Sequence, residues 1–266
     1  MPVPVKLNGV KLSTELLPRE RMLLTPEVRL RWESAIQASG GELRLPALDF
    51  NPISDQQQES SCVANAVCDG FELCAQTEWG HYTNLSRNAH YYWTRCRHGG
   101  QTEDEGTYIH LALEQGTIVG FVPEGLWPYD PEKVNVAPPN HIIVLASQNR
   151  LAGYYAIDGL RHERVQGLLL ALRAHQPCVA AFKLGPEYFQ PSKGQVMGPP
   201  KENKGLHAQL IVGYRIRPGG GYQFLIRNSW GEGWGDAGYI WVEEEYFDPS
   251  YTHDIYALTK MQELIL

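Results

Sequence analysis

The chain has 266 residues, 43% of them hydrophobic and 20% charged, and a formal net charge of −7. That balance gives a globular protein with ample core, as one large domain or two tightly packed lobes. The acidic charge and the lack of a Lys/Arg run argue against a nucleic-acid partner, and no apolar run approaches the ~18 residues of a membrane span.

The cysteines narrow the setting. Cys62, Cys68, Cys74, Cys96 and Cys178 are odd in number and contain no C-x-x-C pair, which argues against a disulfide framework or structural zinc. A reducing compartment fits, with all but Cys62 read as buried thiols. The first residues lack the basic start and apolar core of a signal peptide, so the expected location is the cytoplasm, or export by a route without a cleavable signal.

In chain order, residues 1–48 read as an N-terminal extension, with a short helix over 26–36 ended by Gly40-Gly41. Residues 49–140 read as a helical lobe. Ser60-Ser61 is expected to cap a helix starting near Cys62, whose buried face is Val63, Ala66, Val67, Phe71 and Cys74. Ser86 opens a second helix with Tyr91, Tyr92 and Trp93. Thr107 caps a third, with Ile109, Leu111 and Leu113, ending at Gly116. Trp127-Pro128-Tyr129-Asp130-Pro131 is a turn with aromatic anchors.

Residues 141–266 read as a β-rich lobe. The run from Ile142 to Ala146 reads as a buried strand, and Val165, Leu168, Leu169 and Leu172 as a helical exception. Strands are expected at 179–182, 208–212, 222–226 and 239–242, with a hairpin turn at Pro218-Gly219-Gly220-Gly221. A helical first half before a β-rich second half gives an α+β protein with two lobes.

Asn228-Ser229-Trp230-Gly231-Glu232-Gly233-Trp234-Gly235 is the densest stretch of special residues. His207 lies 21 residues before its Asn, and Cys62 lies 145 residues before that His. A Cys at a helix start is favoured as thiolate by the helix dipole, and a His from a distant segment can pair with it. The pair could attack an amide carbonyl, with His207 protonating the leaving amine and Asn228 orienting the imidazole. Gln56 and the Cys62 backbone N–H could hold the oxyanion. Taken singly, Cys62 also reads as a structural thiol, His207 as a core histidine and Gln56 as one of three loop glutamines. The His residues of the first half lack metal-ligand spacing, and no metal or cofactor is expected. Glu103-Asp104-Glu105 reads as a solvated helix-start cluster, and Glu243-Glu244-Glu245 as an exposed strand end.

Three blocks, Asp55-Gln56 through Ser61-Cys62, Leu206-His207-Ala208 through Val212-Gly213-Tyr214, and the Asn228 block, resemble the signature blocks of papain-like cysteine peptidases. The similarity spans roughly residues 46–260. It implies a helical lobe packed against a β-barrel-like lobe with the active-site cleft between them. It makes Cys62 the nucleophile, His207 its acid–base partner, Asn228 the orienting residue and Gln56 the oxyanion donor. Trp230 would shield the Asn–His hydrogen bond, and an extended substrate would hydrogen-bond near Gly106.

The activity implied is that of a thiol endopeptidase acting on peptide or isopeptide bonds through a thioester. The alternatives are a transferase on the same dyad or a catalytically silent peptide-binding module. Two positions depart from the family pattern: Val63 stands where a Trp is usual, and Glu59 where a disulfide Cys is common. The long inhibitory propeptide pattern is also missing. Residues 1–48 either pack on the lobes or cross the cleft and limit access. The expected partners are a polypeptide substrate and an inhibitor or regulatory protein, and delivery into another cell as an effector would be a further means of restraint.

Overall fold

The computed structural model describes residues 9–12, 41–80 and 82–259. The helix expected over 26–36 lies outside the described residues, as does His81.

Helix α1, Cys62–Trp79, ends where Gly80 turns left-handed (φ 71°) and donates its N–H to the Gln76 carbonyl. It is buried on every side from Cys62 to Ala75, not along one face, because it runs through the middle of the molecule. Ser61 stands at its N-cap position but makes no capping bond. Its hydroxyl instead accepts from the Asn65 amide at 3.0 Å and lies 3.3 Å from the Tyr129 hydroxyl. Helix α2, Arg87–Cys96, is capped as expected, with the Ser86 hydroxyl accepting from the Ala89 N–H at 3.2 Å. Cys96, at its end, is exposed and not the buried thiol expected.

Val10–Lys11 (β1) pairs in parallel with Thr107–Tyr108 (β3). Thr107 therefore belongs to a strand, and the third helix, α3 (Ile109–Ile118), starts after Tyr108. Gly116 does not end α3; it lies inside it against the Phe121 ring. The run Ile142–Ala146 is also corrected: Asn140–Ala146 is a helix, α4, that buries Ile142 and Ala146 and exposes Ile143, Val144 and Leu145. Burial four residues apart is the helical period, and a short apolar run does not distinguish it from a strand.

The main sheet contains Glu42–Arg44 (β2), Tyr154–Ala156 (β4), Cys178–Leu184 (β5), Val196–Met197 (β6), Gly205–Ile216 (β7), Tyr222–Arg227 (β8), Tyr239–Glu243 (β9) and Thr252–Leu258 (β10). Its order is β4-β10-β5-β7-β8-β9-β6, with β2 also on β7. Strands β5, β7, β8 and β9 contain the four expected segments. The β7–β8 hairpin turns through Gly219, Gly220 and Gly221, all with positive φ. The acidic run after β9 is not simply exposed: Glu243 and Glu245 hold Arg217, and Glu244 accepts from the Tyr222 N–H. Strand β10 was missed in the sequence; it bulges between His253 and Tyr256, which breaks its alternation. Helix α5, Arg161–Arg173, buries Val165, Leu168, Leu169 and Leu172 as expected. Among the described residues no helix is long and apolar enough to cross a membrane.

Helix α1 packs against β7, which brings the start of one onto the start of the other. A buried ionic network ties α1 to α2 and to β8, the neighbour of β7 in the sheet. Asp69 of α1 takes Arg87 of α2 at 2.6 Å and Arg227 of β8 at 2.9 Å, while Glu72 binds Arg87 with both oxygens. Arg227 also donates to the Asn51 carbonyl and the Tyr239 hydroxyl, so the residue before Asn228 is held on several sides.

Candidate active site

Cys62, His207 and Asn228 come together where α1, β7 and the end of β8 meet, and all three are fully buried. His207 Nε2 lies 2.7 Å from Asn228 Oδ1, and the Ser229 N–H also points to that oxygen at 2.8 Å. An atom approached by a backbone N–H is the amide oxygen, so Nε2 carries the proton and Nδ1 the lone pair. Nδ1 has no hydrogen-bond partner. The Trp230 ring packs over the imidazole at 4.6 Å and is itself stacked on Phe189. Trp230 thus covers the ring whose hydrogen bond it is expected to shield.

The backbone N–H groups of Ala208, Val63 and Cys62 face the Cys62 sulfur and favour its anion, but burial outweighs them and pushes the thiol up to about 12. Burial likewise lowers His207 to about 4, against the Asn228 hydrogen bond that raises it. Burial in this covered site thus works against the charged form of each group, the thiolate as well as the imidazolium.

The cover is the chain's own segment 9–12. A Cβ on Gly9 would stand 2.9 Å from the Cys62 sulfur and 2.5 Å from the Ser60 carbonyl oxygen, so only a glycine lies this close. The Gly9 carbonyl accepts from the Thr107 N–H at 2.9 Å, Val10 is buried, and Lys11 faces Glu105 at 3.6 Å. Gly106 makes room for this strand: its φ is 80°, and a Cβ there would collide with Gly9. Its own N–H goes to the Tyr91 hydroxyl at 2.9 Å, so the backbone donor that meets segment 9–12 here is that of Thr107.

Gln56 is buried beside the same site. Its side-chain amide donates one N–H to the Glu59 carbonyl at 2.9 Å, and its oxygen accepts from the Ser229 hydroxyl at 2.7 Å. Residues 54–56 and 229–231 also exchange backbone bonds, Gln56 N–H to Ser229 O and Gly231 N–H to Ser54 O. The loop before Cys62 and the Asn228 block are thus one unit.

Sequence reasoning missed its supports. The Tyr129 hydroxyl donates to the Gln56 carbonyl at 2.7 Å. Asp104, half-buried and not merely solvated, accepts from the Ser60 N–H at 2.9 Å and the Tyr91 hydroxyl at 3.0 Å. Only Tyr129 had a signal, as an aromatic in a Pro-rich turn. Among the described residues no three His, Cys, Asp or Glu side chains converge as a metal site.

A nucleophile-type thiol, an imidazole with one nitrogen fixed and one unpartnered, and nearby amide donors form a set suited to acyl transfer. Comparisons with known proteins agree. The model of the papain family of cysteine proteases matches residues 42–255. An uncharacterized peptidase C1-like protein of Acanthamoeba polyphaga mimivirus is 26% identical over 80% of this chain and 71% of its own length. Papain of Carica papaya is 37% identical over 36% of this chain and 28% of its own length.

Among solved structures, xylellain, a cysteine protease from Xylella fastidiosa, superposes with a TM-score of 0.75 at 24% identity, covering 97% of this chain and 98% of that one. Digestive procathepsin L 3 of Tenebrio molitor gives a TM-score of 0.70 at 20% identity, covering 95% of this chain and 76% of that one. The fold is papain-like, a helical lobe against a β-barrel-like lobe with the cleft between them. The chain belongs to the papain family of cysteine proteases, and it is a thiol endopeptidase.

Proposed function

We propose that this peptidase cleaves amide bonds of polypeptides through a thioester on Cys62, with His207, Asn228 and Gln56 in the roles the resemblance implies. The observation that carries the reading is the unpartnered His207 Nδ1, whose opposite nitrogen is fixed by Asn228. In the open cleft the Cys62 proton passes to Nδ1 and the sulfur attacks the carbonyl carbon. The Cys62 N–H and the second amide N–H of Gln56 take the developing oxyanion. As the C–N bond breaks, the imidazolium returns its proton to the leaving amine. Water, deprotonated by Nδ1, then splits the thioester and restores the thiol.

The cleft strand suggests how substrate sits. The Thr107 N–H that holds the Gly9 carbonyl is the donor for a substrate backbone, beside a Gly106 without a side chain. Segment 9–12 must leave first, so the covered state is an inactive one. Its departure is the step that a regulatory partner or inhibitor would control.

Hydrolysis of an unfolded protein substrate by the chain without residues 1–12, as parent and with Cys62→Ala or His207→Ala, tests the reading. Turnover is expected in the parent, none in Cys62→Ala, and a rate lower by about 10²–10⁴-fold in His207→Ala. Turnover by Cys62→Ala, or binding of peptides without cleavage by the parent, would overturn it. Peptide and isopeptide substrates, with and without an added amine, separate hydrolysis from transfer by their products.

A further inference from the structure

Gly9 lies against both Ser60 and Gly106, and a chain of hydrogen bonds joins those two residues. The Gly106 N–H donates to the Tyr91 hydroxyl at 2.9 Å, and that hydroxyl donates to Asp104 Oδ1 at 3.0 Å. The same carboxylate oxygen accepts from the Ser60 N–H at 2.9 Å. A donor to the phenol oxygen polarises its O–H, and a carboxylate acceptor strengthens the bond again, so the relay is firmer than its separate parts.

Both ends depend on this relay. Gly106 has a φ of 80° and the backbone freedom of a glycine, so the tie on its N–H helps to set where the next N–H, that of Thr107, points. Ser60 leads into α1, where Ser61 makes no capping bond, and the Cys62 N–H follows two residues on. All five cysteines are free, so no disulfide joins the two loops. The middle of the relay is anchored: Tyr91 is buried in α2, with the Arg95 guanidinium 4.1 Å from its ring. Arg95 also donates to the Glu103 carbonyl, which holds the loop that carries Asp104.

We propose that Tyr91 and Asp104 are positioning residues that couple the Thr107 N–H, which holds a backbone in the cleft, to the loop that presents Cys62. A chain engaged on Thr107 steadies Gly106 and, through the relay, the Ser60–Cys62 backbone with the thiol and its oxyanion donor. A substrate long enough to reach Thr107 is therefore attacked faster once bound than a short one, because part of its binding on β3 goes into aligning the sulfur. Segment 9–12 engages the same link in the covered state through its Gly9 carbonyl. The kinetic consequence rests on the peptidase reading above; the link between the loops does not.

Hydrogen exchange of the full chain reads the link itself. Tyr91→Phe is expected to speed exchange at Ser60 and Cys62 about tenfold, the effect of losing one hydrogen bond to a charged group, although the Tyr91 hydroxyl bonds to neither amide. Asp104→Ala is expected to do the same at Gly106 and Thr107. Asp104→Asn, which keeps an acceptor oxygen, is expected to restore most of that protection, and this pair serves if Tyr91→Phe does not fold. Kinetics of the chain without residues 1–12, once circular dichroism matches its fold to that of the full chain, read the consequence. The substrates are peptide amides with one or with three residues before the cleaved bond. The ratio of kcat for the long substrate to kcat for the short one is expected to fall about tenfold in Tyr91→Phe. Unchanged exchange at Ser60 and Cys62, an equal kcat loss for both substrates, or a rise in KM alone would overturn the proposal. Linked exchange without turnover of either substrate would instead support the relay and count against the peptidase reading.

Discussion

His207 is held by one short bond and one ring contact, and both follow from the Asn228 block. Asn228→Ala removes the acceptor at Nε2 and frees the ring to turn under Trp230. The expected kcat loss is roughly tenfold or more, but smaller than the ~10²–10⁴ from removing the imidazole itself. Gln56→Ala deletes one oxyanion donor, with an expected kcat loss of ~10²–10³ and little change in KM. Steady-state kinetics on one peptide substrate checks both. The grouping of Cys62, His207 and Asn228 was legible because a block with two Trp and three Gly in eight residues is too specific to be a bland loop and fixes the search for the other two. Tyr129, Asp104 and Ser229 were not, because a supporting hydroxyl or carboxylate has no local pattern. What makes Tyr129 important is the Gln56 carbonyl 73 residues away.

Among the elements, α1 and β8 matter most, because they present the thiol and the asparagine from opposite sides. Asp69 joins them, with each oxygen on a different buried arginine. Asp69→Ala leaves Arg87 and Arg227 short of a counter-charge in the interior and is expected to cost about 3–5 kcal/mol. The exposed pair Lys204–Glu202 is worth less than about 1 kcal/mol by the same measurement, the denaturant midpoint of the single variants. If Asp69→Ala were as mild as Glu202→Ala, the network would not be what fixes the two elements. The strands were legible from β-branched runs bounded by Gly and Pro. Helix α4 was not, because Ile142–Ala146 has the composition of a strand and only its burial at Ile142 and Ala146 reveals the helical period. The charge network was equally invisible, since Asp69 and Arg227 are 158 residues apart.

At the scale of the whole molecule, burial of ionisable groups sets the pH range of stability. His90, stacked on Phe121 with neither nitrogen partnered, is lowered to about 3, and His207 to about 4. The unfolded chain binds protons more tightly at both, so their contribution is full above about pH 6.5 and is lost as pH falls through those values. Glu59 acts in the opposite sense: its raised value gives stability that is full below 4.5 and lost as pH rises through about 7. Thermal midpoints are expected to decline on both sides of near-neutral pH, and His90→Leu to shrink the acid side. An unchanged acid limb in that variant would remove His90 from the account. The two-lobed α+β plan was legible from the order of helical and β-rich halves; the strand laid over the sulfur was only one of two readings of residues 1–48. The most direct test of the central claim, a His207-coupled thiol at Cys62 beneath segment 9–12, is alkylation by a thiol-directed peptidyl epoxide, with the modified residue mapped by mass spectrometry. The account predicts slow, selective modification of Cys62 in the full chain, faster modification once residues 1–12 are removed, and none in His207→Ala. Equal modification of Cys62 in the presence and absence of His207, or modification no faster than that of exposed Cys96, would contradict it.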